Sequence, residues 1–189
     1  MRVPLSLDRP FPDALRSIGI QVLCDDFART FEVVAPGVAG MPAERALRTF
    51  REFSAACIEE ALASPSYAAA RRADLEVRAR ALGARVRAVL KPDDSELAAL
   101  VRALYAAIEI DVFRDASGCY VFRRCSFATR YTPAVCAFMS AFDSGFVGGL
   151  CAAGRLEFES RLTEGAPSCR ARLTAAGVAA GLGEGSDAR

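Results

Sequence analysis

The feature that most constrains the fold is a change in hydrophobic periodicity at Ile108. Before this residue, apolar side chains recur every three or four positions, which is the spacing of an amphipathic helix. Proline and glycine clusters break the pattern at Pro36-Gly37, Ser64-Pro65-Ser66 and Lys91-Pro92. The first half of the chain therefore predicts four helices, at about residues 11–34, 42–62, 67–90 and 96–107.

From Ile108 onward, the apolar spacing switches to two, with one helical segment between two alternating pairs. Strands are predicted at 108–114, 119–124, 156–163 and 169–173, and a helix at about 133–151. The glycines Gly145, Gly148 and Gly149 in that helix allow another element to approach closely. The predicted class is α+β, with N-terminal helices and a small antiparallel sheet of about four strands. Its two hairpins are separated by a helix.

The domain organisation follows from length and from this order of elements. A chain of 189 residues suits one domain, or one domain with a helical extension. We expect a helical N-terminal region over 1–95 and an α+β core over 96–174. The Ala/Gly-rich end, 175–189, is expected to be a flexible tail.

The absence of histidine restricts the chemistry available to the chain. A catalytic Ser–His or Cys–His pair within the chain is impossible, and a metal site must use cysteine and carboxylate ligands. The net charge of +1 argues against nucleic acid or a membrane surface as a partner, because both favour a strongly basic face. The expected partner is a small molecule.

Cysteine usage and hydropathy bear on the compartment. The N-terminus lacks a signal-peptide pattern, and no window approaches 18 uninterrupted apolar residues. Seven cysteines in a chain of this size indicate free thiols in a reducing compartment. We expect a cytoplasmic protein. The apolar stripes of the N-terminal helices exceed what one small sheet covers, which favours a homodimer.

The segment Cys125–Cys169 contains four of the seven cysteines and one acidic residue on an otherwise apolar helix. Cys136 and Asp143 are seven residues apart, so they lie on one helix face, about 10 Å apart, and can line one pocket. An unpaired buried carboxylate is costly. Asp143 therefore needs either a structural partner, for which the candidates are Arg123, Arg124 and Arg130, or a role as a catalytic base.

Cys125 is the most reactive candidate among the thiols. It ends the predicted second strand beside Arg123 and Arg124, whose positive charges are expected to lower its pKa. Tyr120 and Tyr131 lie near Cys125 in sequence, and they either donate a hydrogen bond to a ligand or simply cap the sheet. The alternative is that Cys125 and Cys136 are small buried apolar residues, as Cys24 and Cys57 on the helical stripes are predicted to be.

The region 96–174 resembles the 4-vinyl reductase superfamily of small-molecule-binding domains and the related L-2-amino-thiazoline-4-carboxylate hydrolase-like proteins. The resemblance is carried by Cys136, the helical turn Ser144-Gly145-Phe146, Gly165 in the second hairpin and Cys169. It covers under half of the chain. The order of helix, hairpin, helix and hairpin is also similar.

The hydrolase branch of this resemblance implies an enzyme that opens a small heterocycle or an amide-like C–N bond without a cofactor. Cys125 or Cys136 would be the nucleophile and Asp143 the general base. An arginine would bind a substrate carboxylate, since its planar fork matches that group. The candidates are Arg123, Arg124 and Arg130.

The vinyl-reductase branch implies a non-catalytic domain. It would bind an apolar molecule between the sheet and the helix that carries Phe138, Phe142 and Phe146, with zinc at Cys136 and Cys169 as a further option. The family's zinc site uses three cysteines and one glutamate, but the corresponding positions here fall near Arg161 and Phe158. A third alternative is a helical scaffold in which the cysteines are only core residues.

Overall fold

A computed structural model describes residues 11–152 and 154–174, and within them it shows an α+β fold of five helices and one four-stranded antiparallel sheet. The elements are α1 (Asp13–Phe31), α2 (Ala43–Leu62), α3 (Pro65–Leu90), α4 (Leu97–Ala106), β1 (Ile110–Arg114), β2 (Tyr120–Cys125), α5 (Pro133–Leu150), β3 (Arg155–Ser160), a 3₁₀ turn (Leu162–Glu164) and β4 (Cys169–Thr174). The predicted flexible tail, 175–189, lies outside the described residues.

The predicted elements are all present, and their ends differ for local reasons. Strand β1 begins two residues later than predicted, because Glu109 takes a left-handed conformation (φ 60°) after the last turn of α4. Strand β3 ends at Ser160 rather than at residue 163. Its pairing with β4 slips between Phe158 and Ser160, and the chain then forms the 3₁₀ turn, which Gly165 (φ 86°) caps.

The sheet joins the two hairpins along its centre, in the order β1-β2-β4-β3. Tyr120 pairs with Ala171 where β2 meets β4. On the same sheet, the Phe122 ring contacts Tyr105 of α4, with centroids 5.6 Å apart, and Phe158 of β3, with centroids 5.7 Å apart. Helix α4 packs mainly beside the edge strand β1, and Tyr105 reaches from it to β2.

Helix α5 crosses α3 at backbone contact, which confirms that the glycines of α5 admit another element. A Cβ atom placed on Gly145 would lie 2.2 Å from the Glu76 carbonyl oxygen, and one on Gly149 would lie 2.1 Å from that of Arg80. From the other side, a Cβ on Gly83 would lie 2.1 Å from the Phe146 carbonyl oxygen. No residue larger than glycine fits at these three positions without moving a helix.

Helix α5 is apolar enough, and at 18 residues long enough, to cross a membrane by composition alone. In the fold, however, 61% of it is buried, against α3 on one side and the protein interior on the other. The apolar run thus serves as the central helix of the core.

The hydrophobic core is continuous across residue 95, so the N-terminal helices and the α+β part share it. One cluster includes Ile20, Leu47, Leu100, Val112 and Leu150, each 1% exposed or less. Cys24 is fully buried, as predicted, whereas Cys57 is only half-buried and packs against the edge of the cluster.

Candidate functional site

A cavity of about 440 Å³ lies between the core and α1, beside the face of α5 that does not touch α3, and its wall includes the exposed α1 residues Leu15 and Val22. Its walls come from all five helices, from β1, β2 and β4, and from the 3₁₀ turn and the loop after β2, and they are almost wholly apolar. Representative lining residues are Leu23, Leu82, Leu104, Phe127, Met139 and Phe142. The cavity therefore offers a space in which water gains little from hydrogen bonding.

The predicted site residues from separate elements converge on this cavity. Cys125 from β2, Cys136 and Asp143 from α5, and Cys169 from β4 all line it. The aromatic residues Tyr131, Phe142 and Phe146 line it as well. Phe138 does not, because its ring packs against Phe31 in the core with centroids 5.9 Å apart. The fold thus brings the expected groups together, while their chemical roles stay predictions.

Asp143 is the acidic group of the cavity, and its partner is a tyrosine rather than an arginine. The Tyr105 hydroxyl donates a hydrogen bond of 2.7 Å to Asp143 Oδ1. Burial raises the pKa of Asp143 to about 6, although the Tyr105 hydrogen bond and the positive field of Arg161 both favour the ionised form. The expectation that Arg123, Arg124 or Arg130 pairs with Asp143 is therefore wrong.

The cavity thiols are poorly ionised at neutral pH. Burial raises the pKa of Cys125 to about 12, even though two backbone N–H groups favour its thiolate. Burial also raises the pKa of Cys136 and of Cys169. A low-pKa thiol needs a cation or a helix N-terminus beside it, and the largest influence on each of these sulfurs is loss of solvent.

The expectation that Arg123 and Arg124 lower the pKa of Cys125 is wrong, because both side chains lie in solvent. Both residues are exposed, and the Arg123 guanidinium lies over the Phe113 ring at 4.3 Å. Arg130 is exposed too, and its Nη1 lies 3.6 Å from Glu59 Oε1. None of these three arginines lines the cavity, so they cannot hold the carboxylate of a molecule enclosed in it.

Arg161 supplies the positive field that sequence reasoning assigned elsewhere. It favours the ionised forms of Asp143, Cys136 and Cys169. Its Nε donates to Ser140 Oγ at 3.3 Å and its Nη1 to a Glu164 oxygen at 3.2 Å. The sequence predicts Arg161 within a regular strand over 156–163, but the register shift between Phe158 and Ser160 ends the strand, and Arg161 contacts Ser140 of α5.

Tyr105 and Thr163 were also missed. Tyr105 sits on the apolar stripe of a helix, where nothing local distinguishes it from a core aromatic residue. The Thr163 hydroxyl is buried without a hydrogen bond of normal geometry, although it lies close enough to the Cys136 thiol to favour the thiolate. Both positions depend on contacts between residues far apart in sequence.

The residues around Cys136 and Cys169 fit a zinc ion poorly. A structural zinc needs four donors, and within 11–152 and 154–174 no group of three or more cysteine and carboxylate side chains is placed to hold a metal ion. The Cys169 sulfur already accepts a hydrogen bond of 3.2 Å from the Leu162 N–H, and the Arg161 guanidinium opposes a second cation nearby.

Among the described residues, the candidate site is therefore an apolar cavity lined by the carboxyl group of Asp143, neutral thiols and two hydrogen-bonded tyrosines. Its chemistry has to be inferred from this geometry. Among protein-family models, curated proteins and solved structures, nothing matches this chain.

Proposed function

We propose that this chain binds an apolar small molecule inside the cavity. The observation that carries the proposal is the combination of volume and lining. About 440 Å³ falls in the range of about 300–1,000 Å³ typical of ligand pockets, and such pockets are mainly apolar with a few polar groups. The function corresponds to the non-catalytic form of the 4-vinyl reductase resemblance.

The packing of the rest of the molecule supports this proposal. Protein interiors are close-packed, and a void destabilises the fold because its lining loses contact partners. In this chain the helices α3 and α5 meet at backbone contact, only a few residues from the cavity. A fold that packs this closely on one side of α5 and leaves a large apolar space on the other is suited to receive a ligand there.

The aromatic wall supports it further. Phe142 and Phe146 stack on each other with centroids 5.8 Å apart and an interplanar angle of 11°, and both line the cavity. The Phe127 and Tyr131 rings, 5.3 Å apart, form another part of the wall. Flat aromatic surfaces of this kind provide a large contact area for an apolar ligand.

The binding test uses the uncharged dye N-phenyl-1-naphthylamine, whose fluorescence rises in apolar surroundings. We expect saturable binding to the purified protein. Cys125→Phe, which projects a ring into the cavity, should weaken dye binding, while Cys57→Phe, which overpacks a half-buried site away from the cavity, should leave it unchanged. Thermal unfolding of both variants checks that they fold. Equal binding by wild type and Cys125→Phe would contradict the proposal.

A second proposal is hydrolysis by a cavity thiol, and one observation favours it. Asp143, with a pKa of about 6, shares the cavity with Cys125 and Cys136 and can accept a proton near neutral pH. The rate of alkylation by iodoacetamide tests it. Buried neutral thiols should react far more slowly than free cysteine. One thiol that reacts faster at neutral pH, and loses this reactivity in Asp143→Asn, would establish a nucleophile instead.

A further inference from the structure

The polar groups that line the cavity differ in how much hydrogen-bonding capacity they have left. The Tyr131 hydroxyl is engaged with Ser54 Oγ at 2.7 Å, and the Tyr105 hydroxyl donates to Asp143 Oδ1. Asp143 itself lines the cavity, and among the described residues only Tyr105 is seen to donate a hydrogen bond to its carboxyl group, at Oδ1, which leaves Oδ2 for a ligand. A carboxylate oxygen is a strong acceptor, so a ligand donor has an obvious place to bind.

The charge of Asp143 is only partly balanced by its surroundings. Arg161 favours the carboxylate, but its guanidinium already donates to Ser140 and Glu164. Arg16 is the only cation among the described lining residues. It donates to the Ala107 carbonyl at 2.9 Å and pairs with Glu109 at 3.4 Å. Both arginines are thus already engaged with other residues.

A ligand that brings a positive charge would complete this balance. Charge-assisted hydrogen bonds are the strongest that a desolvated carboxylate can make, and a buried charge without a partner is costly. The cavity also provides aromatic faces from Tyr105, Phe142 and Phe146, which attract cations through their ring electrons. An anionic ligand, by contrast, would meet the carboxylate with a like charge.

We propose that the ligand class is an apolar amine, whose protonated nitrogen pairs with Asp143 Oδ2 while its hydrocarbon part fills the cavity. This inference rests on the proposed binding function and specifies its chemistry. A neutral donor, such as an alcohol, would make the same hydrogen bond without balancing the charge, and should bind less tightly.

The experiment compares three molecules of nearly equal shape by displacement of N-phenyl-1-naphthylamine. They are 4-phenylbutylamine, 4-phenylbutanol and pentylbenzene, which end in an ammonium, a hydroxyl and a methyl group. For the wild type we expect the amine to have the highest affinity, the alcohol a lower affinity and the hydrocarbon the lowest. Asp143→Asn should lower the affinity for the amine by about tenfold or more and change the affinity for pentylbenzene by less than about twofold. Asp111→Asn, an exposed aspartate on β1, is the matched control and should change neither.

The outcomes separate this inference from the function on which it rests. If pentylbenzene displaces the dye but the amine binds no more tightly, the cavity binds apolar molecules and the amine proposal is overturned. If none of the three displaces a bound dye, or if the dye does not bind at all, the binding function itself fails. Equal loss of amine affinity in Asp143→Asn and Asp111→Asn would also overturn the role of Asp143.

A measurement on the wild type alone guards against a variant that fails to fold. The ratio of amine affinity to pentylbenzene affinity is compared between about pH 8 and pH 5, a range in which an alkylamine stays protonated. Protonation of Asp143 should lower this ratio at pH 5. The other charged or titratable groups that face Asp143 are Tyr105 of α4, Arg161, Cys125 of β2, Tyr131, Cys136 of α5 and Cys169 of β4, and burial holds these thiols and phenols neutral throughout. A constant ratio would contradict the proposal.

Discussion

The two sides of α5 show opposite kinds of packing. On the side that faces α3, Gly145 and Gly149 bring two helix backbones together so closely that an added methyl group would overlap a carbonyl oxygen. On the other side, Cys136, Met139 and Asp143 border the cavity of about 440 Å³ that the described residues enclose. The same helix is therefore fixed firmly on one face and available to a ligand on the other. A rigid support of this kind holds binding groups in place without needing the ligand.

The largest expected effect tests the packed side. Gly149→Ala places a methyl group 2.1 Å from the Arg80 carbonyl oxygen, and neither backbone can move without disturbing a long helix. We expect the free energy of unfolding to fall by about 3 kcal/mol or more, measured by urea denaturation. The control is Gly19→Ala on α1, where an added Cβ meets nothing within 4 Å and should stabilise the helix by about 0.5–1 kcal/mol. If both substitutions change the free energy of unfolding by a similar amount, the close contact between α3 and α5 is contradicted.

The next effect concerns the charge on the cavity side and depends on pH. The Asp143 carboxyl titrates near its ordinary value of 3.8 in the unfolded chain and near 6 in the fold, so the folded state holds the extra proton between these values. The free energy of unfolding of wild type should therefore fall, relative to Asp143→Asn, by about 2–3 kcal/mol as pH rises from about 4 to 6. Denaturation of both proteins at several pH values measures this difference. If the free energy of unfolding of the two proteins changes with pH in the same way, Asp143 is solvated and its pKa is not raised by burial.

A smaller effect separates the two cavity tyrosines. Tyr105→Phe removes the hydrogen bond to Asp143 Oδ1, leaves the carboxylate with poorer solvation and should destabilise the protein at neutral pH by about 1–2 kcal/mol. It should also raise the pKa of Asp143 further. Tyr131→Phe removes a neutral hydrogen bond to Ser54, so it should cost about 1 kcal/mol and affect the Asp143 titration much less. Carboxyl NMR titration of Asp143 in each variant distinguishes the two outcomes.

The smallest effect tests the arginines that sequence reasoning had placed at the site. Arg123→Ala and Arg130→Ala remove exposed side chains that do not line the cavity. Stability should change by no more than about 0.5 kcal/mol, and dye affinity by less than about twofold. A marked loss of ligand affinity in Arg130→Ala would mean that the ligand reaches well beyond the cavity.

Hydrophobic spacing was enough to predict the class and order of the elements, because period and turn residues are local properties of the chain. The three glycines of α5 signalled a close approach, and the isolated Asp143 signalled an unusual environment for a carboxyl group. The seven-residue spacing of Cys136 and Asp143 on one helix predicted that both can line one pocket, and both line the cavity. These features could be predicted because each depends on residues near one another or on the sequence of elements.

The partners of these groups were decided only by tertiary structure. The slip at Ser160 turned Arg161 toward α5, and the packing of α4 on the sheet carried Tyr105 to Asp143, 38 positions away in sequence. Arg123 and Arg124 stayed in solvent, where their charges are well hydrated. The sequence by itself thus determined the class and order of the elements and the isolated carboxyl group of α5, whereas long-range packing determined which groups line the cavity and which of them are desolvated or paired, since burial depends on the whole fold.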